Sequence, residues 1–187
     1  MLDRYCMWVD PYIAGLFFGD GCIYKRKDGT YRVWIDQADK NKEVLKHEAI
    51  PRLIRMQVKT HFYSYYSRKD GVMKWRILLY SKELYMVMRE VFQKITEYFE
   101  SLPDMEARQF IAGLFDAEGT KTDRIVIYNR NVDLLRLIKQ KLEDFGIKNS
   151  YTYSFGPIYG LQIYRKSSVK KFLEVIPSYR LKAYLPG

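Results

Sequence analysis

Apolar positions along the chain follow two rhythms. Alternation with period two marks half-buried strands, and recurrence every three to four residues marks helices. Tyr31-Arg32-Val33-Trp34-Ile35 alternates, which puts Tyr31, Val33 and Ile35 on one face and Arg32, Trp34 and Asp36 on the other. Val44, Leu45, Ile50, Leu53 and Ile54 then recur at helical spacing. Two strands are predicted at Phe62 to Tyr66 and Lys74 to Tyr80, joined across the hairpin signal Asp70-Gly71. An amphipathic helix over about Lys82 to Phe99 comes next. The series then repeats. Arg124 to Tyr128 alternates, Leu134, Leu135, Ile138 and Leu142 are helical, and Gly146 suits the cap of that helix. Strands at Tyr151 to Phe155 and Tyr159 to Tyr164 flank Gly156-Pro157, and a helix over about Ser168 to Ile176 comes last.

Each series is headed by a recurring segment. Tyr12-Ile13-Ala14-Gly15-Leu16-Phe17-Phe18-Gly19-Asp20-Gly21 returns as Phe110-Ile111-Ala112-Gly113-Leu114-Phe115-Asp116-Ala117-Glu118-Gly119, and the acids Asp20 and Glu118 are 98 residues apart. The order in each half is helix, two strands, helix, two strands, helix. That predicts an α+β fold of two pseudo-symmetric halves, residues 1–100 and 101–187, with helices on one face of each antiparallel sheet. The link at Ser101-Leu102-Pro103-Asp104 is short, and Asp104 is placed to cap the second motif helix.

Composition narrows the function classes. A net charge of +10 with 17 tyrosines favours a polyanionic partner, nucleic acid above all. The two cysteines, Cys6 and Cys22, read as free thiols, and with two histidines, His47 and His61, a His/Cys zinc site is excluded. Asp3, Arg4 and Asp10 interrupt any signal peptide, and no apolar run is long enough to span a bilayer. The expectation is a soluble, intracellular protein in a prokaryotic cytoplasm or nucleoid, or in an organelle.

The repeated segment carries the chemistry. Gly15 and Gly19, like Gly113 and Ala117, lie four apart on one helix face. Small residues at that spacing let two helix backbones approach closely, so the two motif helices should pair. Asp20 and Glu118 end these helices, each before a glycine suited to the cap. A helix C-terminus is already partly negative. Two acids meeting there need a cation, and hard oxygen ligands favour magnesium. A carboxylate–metal site on a basic protein points to phosphodiester hydrolysis.

The two segments resemble the signature of the LAGLIDADG homing endonucleases, in the intron-encoded, archaeal-type form that carries two motifs in one chain. The resemblance covers nearly the whole chain, including the order of elements. It implies a monomeric saddle whose sheets lie in the DNA major groove and whose motif helices form the interface between halves. It also implies two or three divalent ions held by the last acid of each motif, with Mg2+ as cofactor, Mn2+ substituting, and Ca2+ binding without supporting cleavage. Both DNA strands would be cut across the minor groove, leaving short 3′ overhangs.

Carried over by residue, Asp20 and Glu118 match the metal-binding acids, and Gln37 and Asn129 match the polar residue that orders water. The family often has a basic residue beside that position. Arg130 fits it in the second half, whereas the first half has Ala38 there and Lys40 two residues on, which leaves the first-half basic group open. Lys121 matches a basic residue after the second motif. Asp116 is not carried over, because its counterpart is Phe18.

Strand parity assigns a DNA-reading face: Arg32, Trp34, Asp36, Lys74, Arg76 and Tyr80 in the first half, and Arg124, Val126, Tyr128, Gln162 and Tyr164 in the second. Tyr24, Lys25, Arg26, Lys27, Arg68 and Lys69 lie at turns suited to phosphate contacts. Strands of about nine residues would span roughly 30 Å each, so two halves would cover about 18 base pairs of an asymmetric site. The alternatives are an RNA-binding intron maturase of the same fold and a DNA-binding regulator with a dead site. Retention of both Asp20 and Glu118 argues against the regulator.

Overall fold

The computed structural model describes residues 9–148 and 150–182. Asp10 accepts the Ile13 N–H at 3.1 Å and so caps α1 (Pro11–Asp20). Strands β1 (Gly21–Lys25) and β2 (Tyr31–Ala38) come after it. A 3-10 turn, Asp39–Asn41, leads through the short α2 (Lys42–Val44) and a π turn, Leu45–Ala49, into α3 (Ile50–Arg55). β3 (Thr60–Ser67) and β4 (Val72–Leu79) form the hairpin, and Gly71 takes a φ of +67° at its turn. Helices α4 (Lys82–Gln93) and α5 (Ile95–Ser101) complete this part. The second part runs α6 (Asp104–Glu118), β5 (Gly119–Lys121), β6 (Ile125–Asn129), α7 (Val132–Asp144), β7 (Ser150–Phe155), β8 (Ile158–Ile163) and α8 (Lys166–Val175).

Two antiparallel four-stranded sheets result, in the orders β1-β2-β4-β3 and β5-β6-β8-β7. Their registers are equivalent: Gly21 pairs with Ile35 as Gly119 pairs with Ile127, and Ile35 pairs with Ile77 as Ile127 pairs with Leu161. Paired strand positions in one half therefore have defined counterparts in the other. The inner faces, Val33, Ile35, Ile77 and Leu79 in one sheet and Ile125, Ile127, Leu161 and Ile163 in the other, join one apolar cluster with α1 and α6.

The motif helices pack with almost nothing between them. A Cβ on Gly15 would lie 2.1 Å from the Phe110 carbonyl oxygen, and one on Gly19 would lie 2.4 Å from the Ala117 Cβ. The glycines that come after the two acids are not left-handed caps, contrary to expectation. Gly21 and Gly119 are extended, with φ of −88° and −85°. Glycine is required there because a Cβ would stand 2.3 Å from the Phe17 carbonyl oxygen, or 2.2 Å from the Phe115 ring.

Other expectations shift in detail. The π turn rotates the helix beyond it, so Leu53 is buried while Ile54 is 61% exposed. The expected helix from Lys82 to Phe99 breaks at Lys94, whose φ and ψ of −123° and 36° leave the helical region. Beyond the break, Phe99 of α5 lies 5.2 Å, ring to ring, from Phe110 of α6. Asp104 is the first residue of α6 rather than its cap, and its carboxylate pairs with Lys141 at 2.8 Å. Gly146, at φ +80°, does close α7, with the Ile147 N–H returning to the Leu142 carbonyl. Cys22 is free and exposed, and Cys6 lies outside the described residues. Among the described residues no helix is long and apolar enough to cross a membrane.

Candidate active site and nucleic-acid interface

Asp20 is the last residue of α1 and Glu118 the last of α6. A Cβ on Gly19 would come within 2.9 Å of the Glu118 Cγ, so the two helix ends stand side by side. Burial, and then repulsion from Glu118, push the Asp20 carboxyl up to about 7, against the pull of Lys74, the Gln37 amide and Arg180. Burial also raises Glu118, opposed by Arg130. Two raised acids at the negative ends of two helices are groups that a hard divalent cation would neutralise. Among the described residues no cluster of three or more His, Cys, Asp or Glu side chains is present, so this chain offers a carboxylate pair rather than a closed protein cage.

Gln37 reaches the pair from β2. It is buried, and its amide N–H donates to Asp20. Its own oxygen accepts from the Asn41 amide at 3.1 Å, which fixes the donor end of Gln37 toward the acid. Asn129, its counterpart on β6, instead accepts the Asn131 N–H at 2.8 Å. A cavity of about 470 Å³ gathers Glu118, Asn129, Arg130, Tyr128 and Ile158 against Phe18 and Gly19. Lys121 lies on β5, its amine donating to the Thr122 carbonyl at 2.6 Å. Lys40 is exposed in the 3-10 turn beyond β2.

The outer face of the first sheet carries a tight cluster. Arg76 donates to both Asp36 oxygens at 2.6 and 2.7 Å and to the Tyr65 hydroxyl at 3.1 Å, and its guanidinium lies over the Trp34 ring at 5.1 Å. Asp36 is thereby engaged with Arg76. Arg32 lies 5.6 Å over the exposed Tyr80 ring, and its buried Nε has no hydrogen-bond partner. At the positions equivalent to Asp36, Arg76 and Tyr63 the second sheet has Tyr128, Gly160 and Tyr153. The Tyr153 ring covers Gly160, where a Cβ would stand 2.6 Å from it.

Two residues expected to be open on the second sheet are not. Val126 and Gln162 are 5% and 6% exposed. They pair with each other on the two central strands, each of which has a neighbouring strand on both sides. Arg124 precedes β6 and pairs with Asp123 at 3.1 Å. Tyr24, Lys25, Arg26, Lys27, Arg68, Lys69 and Tyr164 are exposed, with Lys25 lying 5.2 Å over the Tyr31 ring and Arg26 3.5 Å from Asp28.

Sequence reasoning misses a second function of the motif, at Asp116. This carboxylate is fully buried, accepts the Tyr12 hydroxyl from α1 at 2.6 Å, and accepts the N–H groups of Tyr179 and Arg180 and the Ser178 hydroxyl. Burial raises its pKa, and these donors hold it down. Arg180, fixed in this way, donates to the carbonyls of Phe115 and Asp116. An acid on an otherwise buried motif face, opposite Phe18 in the other half, is the signal available in the sequence.

Two motif helices ending in paired acids, each heading a four-stranded antiparallel sheet, give this chain the arrangement of the LAGLIDADG fold in its single-chain, two-motif form. Residues 105–177 match the family model described as LAGLIDADG-like domain. The chain is homologous to the homing endonuclease I-DmoI of Desulfurococcus mucosus, with 29% identity over 76% of this chain and 73% of that protein. An uncharacterized protein of Methanocaldococcus jannaschii is 28% identical over 86% of the chain, a match that spans 63% of that protein's length. Among solved structures, I-DmoI in complex with DNA and Mn superposes with a TM-score of 0.70 at 26% identity, covering 91% of this chain and 97% of the other. Its complex with DNA and Ca gives a TM-score of 0.71 at 26% identity, covering 95% and 93%.

Proposed function

We propose that the chain is a site-specific, metal-dependent DNA endonuclease acting as a monomer on double-stranded DNA inside the cell. The observation that carries this reading is the meeting of Asp20 and Glu118 at the ends of two helices in backbone contact, beside one sheet whose outer face is basic and aromatic and a second whose outer face carries Tyr128 and Tyr153. The likeness to an endonuclease solved on DNA with divalent ions supports it.

Asp20 and Glu118 would hold two or three divalent ions, with magnesium as the working metal, manganese as a substitute and calcium as a binding but inert ion; bound metal supplies charge neutralisation and Lewis acidity. The chain's own groups do the rest. Gln37, its amide oriented by Asn41, orders solvent beside Asp20, and Asn129 does so beside Glu118. Lys121 and Arg130 stabilise charge developing on the phosphate. The sheets lie in the major groove, and the helix ends address both strands across the minor groove, leaving 3′ overhangs. The long strands of the first sheet have eight residues, but β6 and β8 have five and six. At about 3.3 Å per residue the two reaches total roughly 46 Å, about 14 base pairs rather than 18. The site is asymmetric, because the two outer faces differ.

The test is incubation with a randomised double-stranded DNA library and magnesium, with sequencing of the cut ends. A recurrent long site with staggered ends is expected from the wild type and not from Asp20→Asn. Absence of cutting by the folded protein with magnesium or manganese, combined with specific binding to structured RNA, would replace this reading with the maturase one.

A further inference from the structure

The pseudo-symmetric registers leave one charge unaccounted for. Arg130, one residue past Asn129, lines the Glu118 cavity and acts on that acid. The equivalent position, one residue past Gln37, is Ala38, which has no charge to offer Asp20. Ala38, however, pairs across the sheet with Lys74 of β4. The same register step in the second half makes Ile158 the counterpart of Lys74, because Tyr159 pairs with Asn129 as Trp75 pairs with Gln37. One half thus has an arginine on the inner strand and an isoleucine across from it. The other half has an alanine and, across from it, a lysine.

We propose that Lys74 is the basic group of the Asp20 side of the centre, occupying from the neighbouring strand the place that Arg130 holds beside Glu118. This rests on the endonuclease reading and specifies it, since Lys74 would then face the phosphate cut on the Asp20 side. Lys74 is half-buried, and Asp70 of the hairpin turn holds its ammonium at 2.6 Å. Its charge reaches Asp20, as Arg130's reaches Glu118. The other cations nearby fit less well. Lys40 is exposed in the turn beyond the strand end. Arg180 is committed through Nη1 to the carbonyls that end α6.

The experiment tracks each strand separately, using a cleavable duplex labelled on both strands. Lys74→Ala should slow the cutting of one strand by roughly 100-fold or more in kcat, with little change in KM, so that a nicked intermediate accumulates. Arg130→Ala should produce the complementary nick. Moving the charge back, as Ala38→Arg in the Lys74→Ala background, should restore most of the lost rate, which a merely structural lysine would not do. Thermal melting of each variant keeps misfolding apart from lost chemistry. Unimpaired cutting of both strands by Lys74→Ala, or a strand-selective loss in Lys40→Ala instead, would overturn the assignment while leaving the endonuclease reading intact. Failure of the wild type to cut any DNA would remove the endonuclease reading itself.

Discussion

Gly113 lies so close to the backbone of Tyr12 that a Cβ on the glycine would stand 2.0 Å from the tyrosine carbonyl oxygen. The contact is repeated at Gly15 against Phe110, so the helix separation that sets the spacing of Asp20 and Glu118 depends on two absent methyl groups. Gly113→Ala should therefore lower stability by about 1–3 kcal/mol or more, through backbone overlap that no rotamer change relieves. Chemical denaturation measures this directly, and an unchanged midpoint would contradict the close helix pairing.

Asp20→Asn and Glu118→Gln should each retain DNA binding and lose cleavage. Each change removes a candidate metal ligand while leaving the outer sheet faces untouched. Gel-shift titration beside plasmid linearisation separates the two properties, and normal double-strand cutting by either variant would sink the assignment.

Without metal, stability should fall as pH rises. The Asp20 carboxyl is held at about 7 in the folded chain, above its ordinary 3.8. Between about pH 4 and 7 the folded state therefore binds the proton that the unfolded state has released. Relative to Asp20→Asn, the wild type should lose on the order of a few kcal/mol across that window, since each tenfold difference in proton affinity corresponds to about 1.4 kcal/mol. Magnesium should reverse the loss at pH 8 by binding the ionised pair. Melting curves in chelator check this: parallel pH profiles for wild type and Asp20→Asn would refute it.

Base reading and phosphate contact should fail in different ways. Arg76→Ala should cost about 1–3 kcal/mol and relax preference at one or a few positions, because Asp36, Tyr65 and Trp34 hold its guanidinium in one pose. Lys25→Ala and Lys69→Ala should weaken all sequences alike and lower the salt slope by roughly one unit each. Binding to single-base site variants at several salt concentrations distinguishes them. Uniform weakening by Arg76→Ala would remove it from the reading face.

Asp116→Ala should be among the more damaging single changes in the chain. It strands the Tyr12 hydroxyl, the Ser178 hydroxyl and two backbone N–H groups in a buried setting. Each orphaned donor costs about 1–3 kcal/mol. A melting temperature within about a degree of wild type would show that solvent replaces the carboxylate.

Much of this architecture is legible in the sequence because each half repeats the same periodicities and the same motif. Alternation at Val33 and Ile35 and at Leu161 and Ile163 identifies the inner faces correctly. Parity, however, reports direction and not cover, so it places Val126 and Gln162 in the open although both are buried, paired on the two central strands. Parity assigns Lys74 to the outer face, but its pairing with Ala38 is a property of register that no single sequence prints. Asp116 escapes for a related reason: its partners at 178–180 come from beyond the last predicted helix.

The Asp116 contacts make the two halves non-interchangeable. Tyr12 supplies the hydroxyl that Asp116 accepts, and Tyr12's own counterpart in the repeat is Phe110. A homodimer built from two copies of the second half would thus confront each buried Asp116 with a phenylalanine. One built from two copies of the first half would place Phe18 where that carboxylate gathers the chain's later residues. Nor would a piece cut at the bounds of the family match suffice, since Ser178, Tyr179 and Arg180 lie just past residue 177. Any chimera that exchanges halves between relatives must carry the Tyr12–Asp116 pair and residues 178–180 across the junction together.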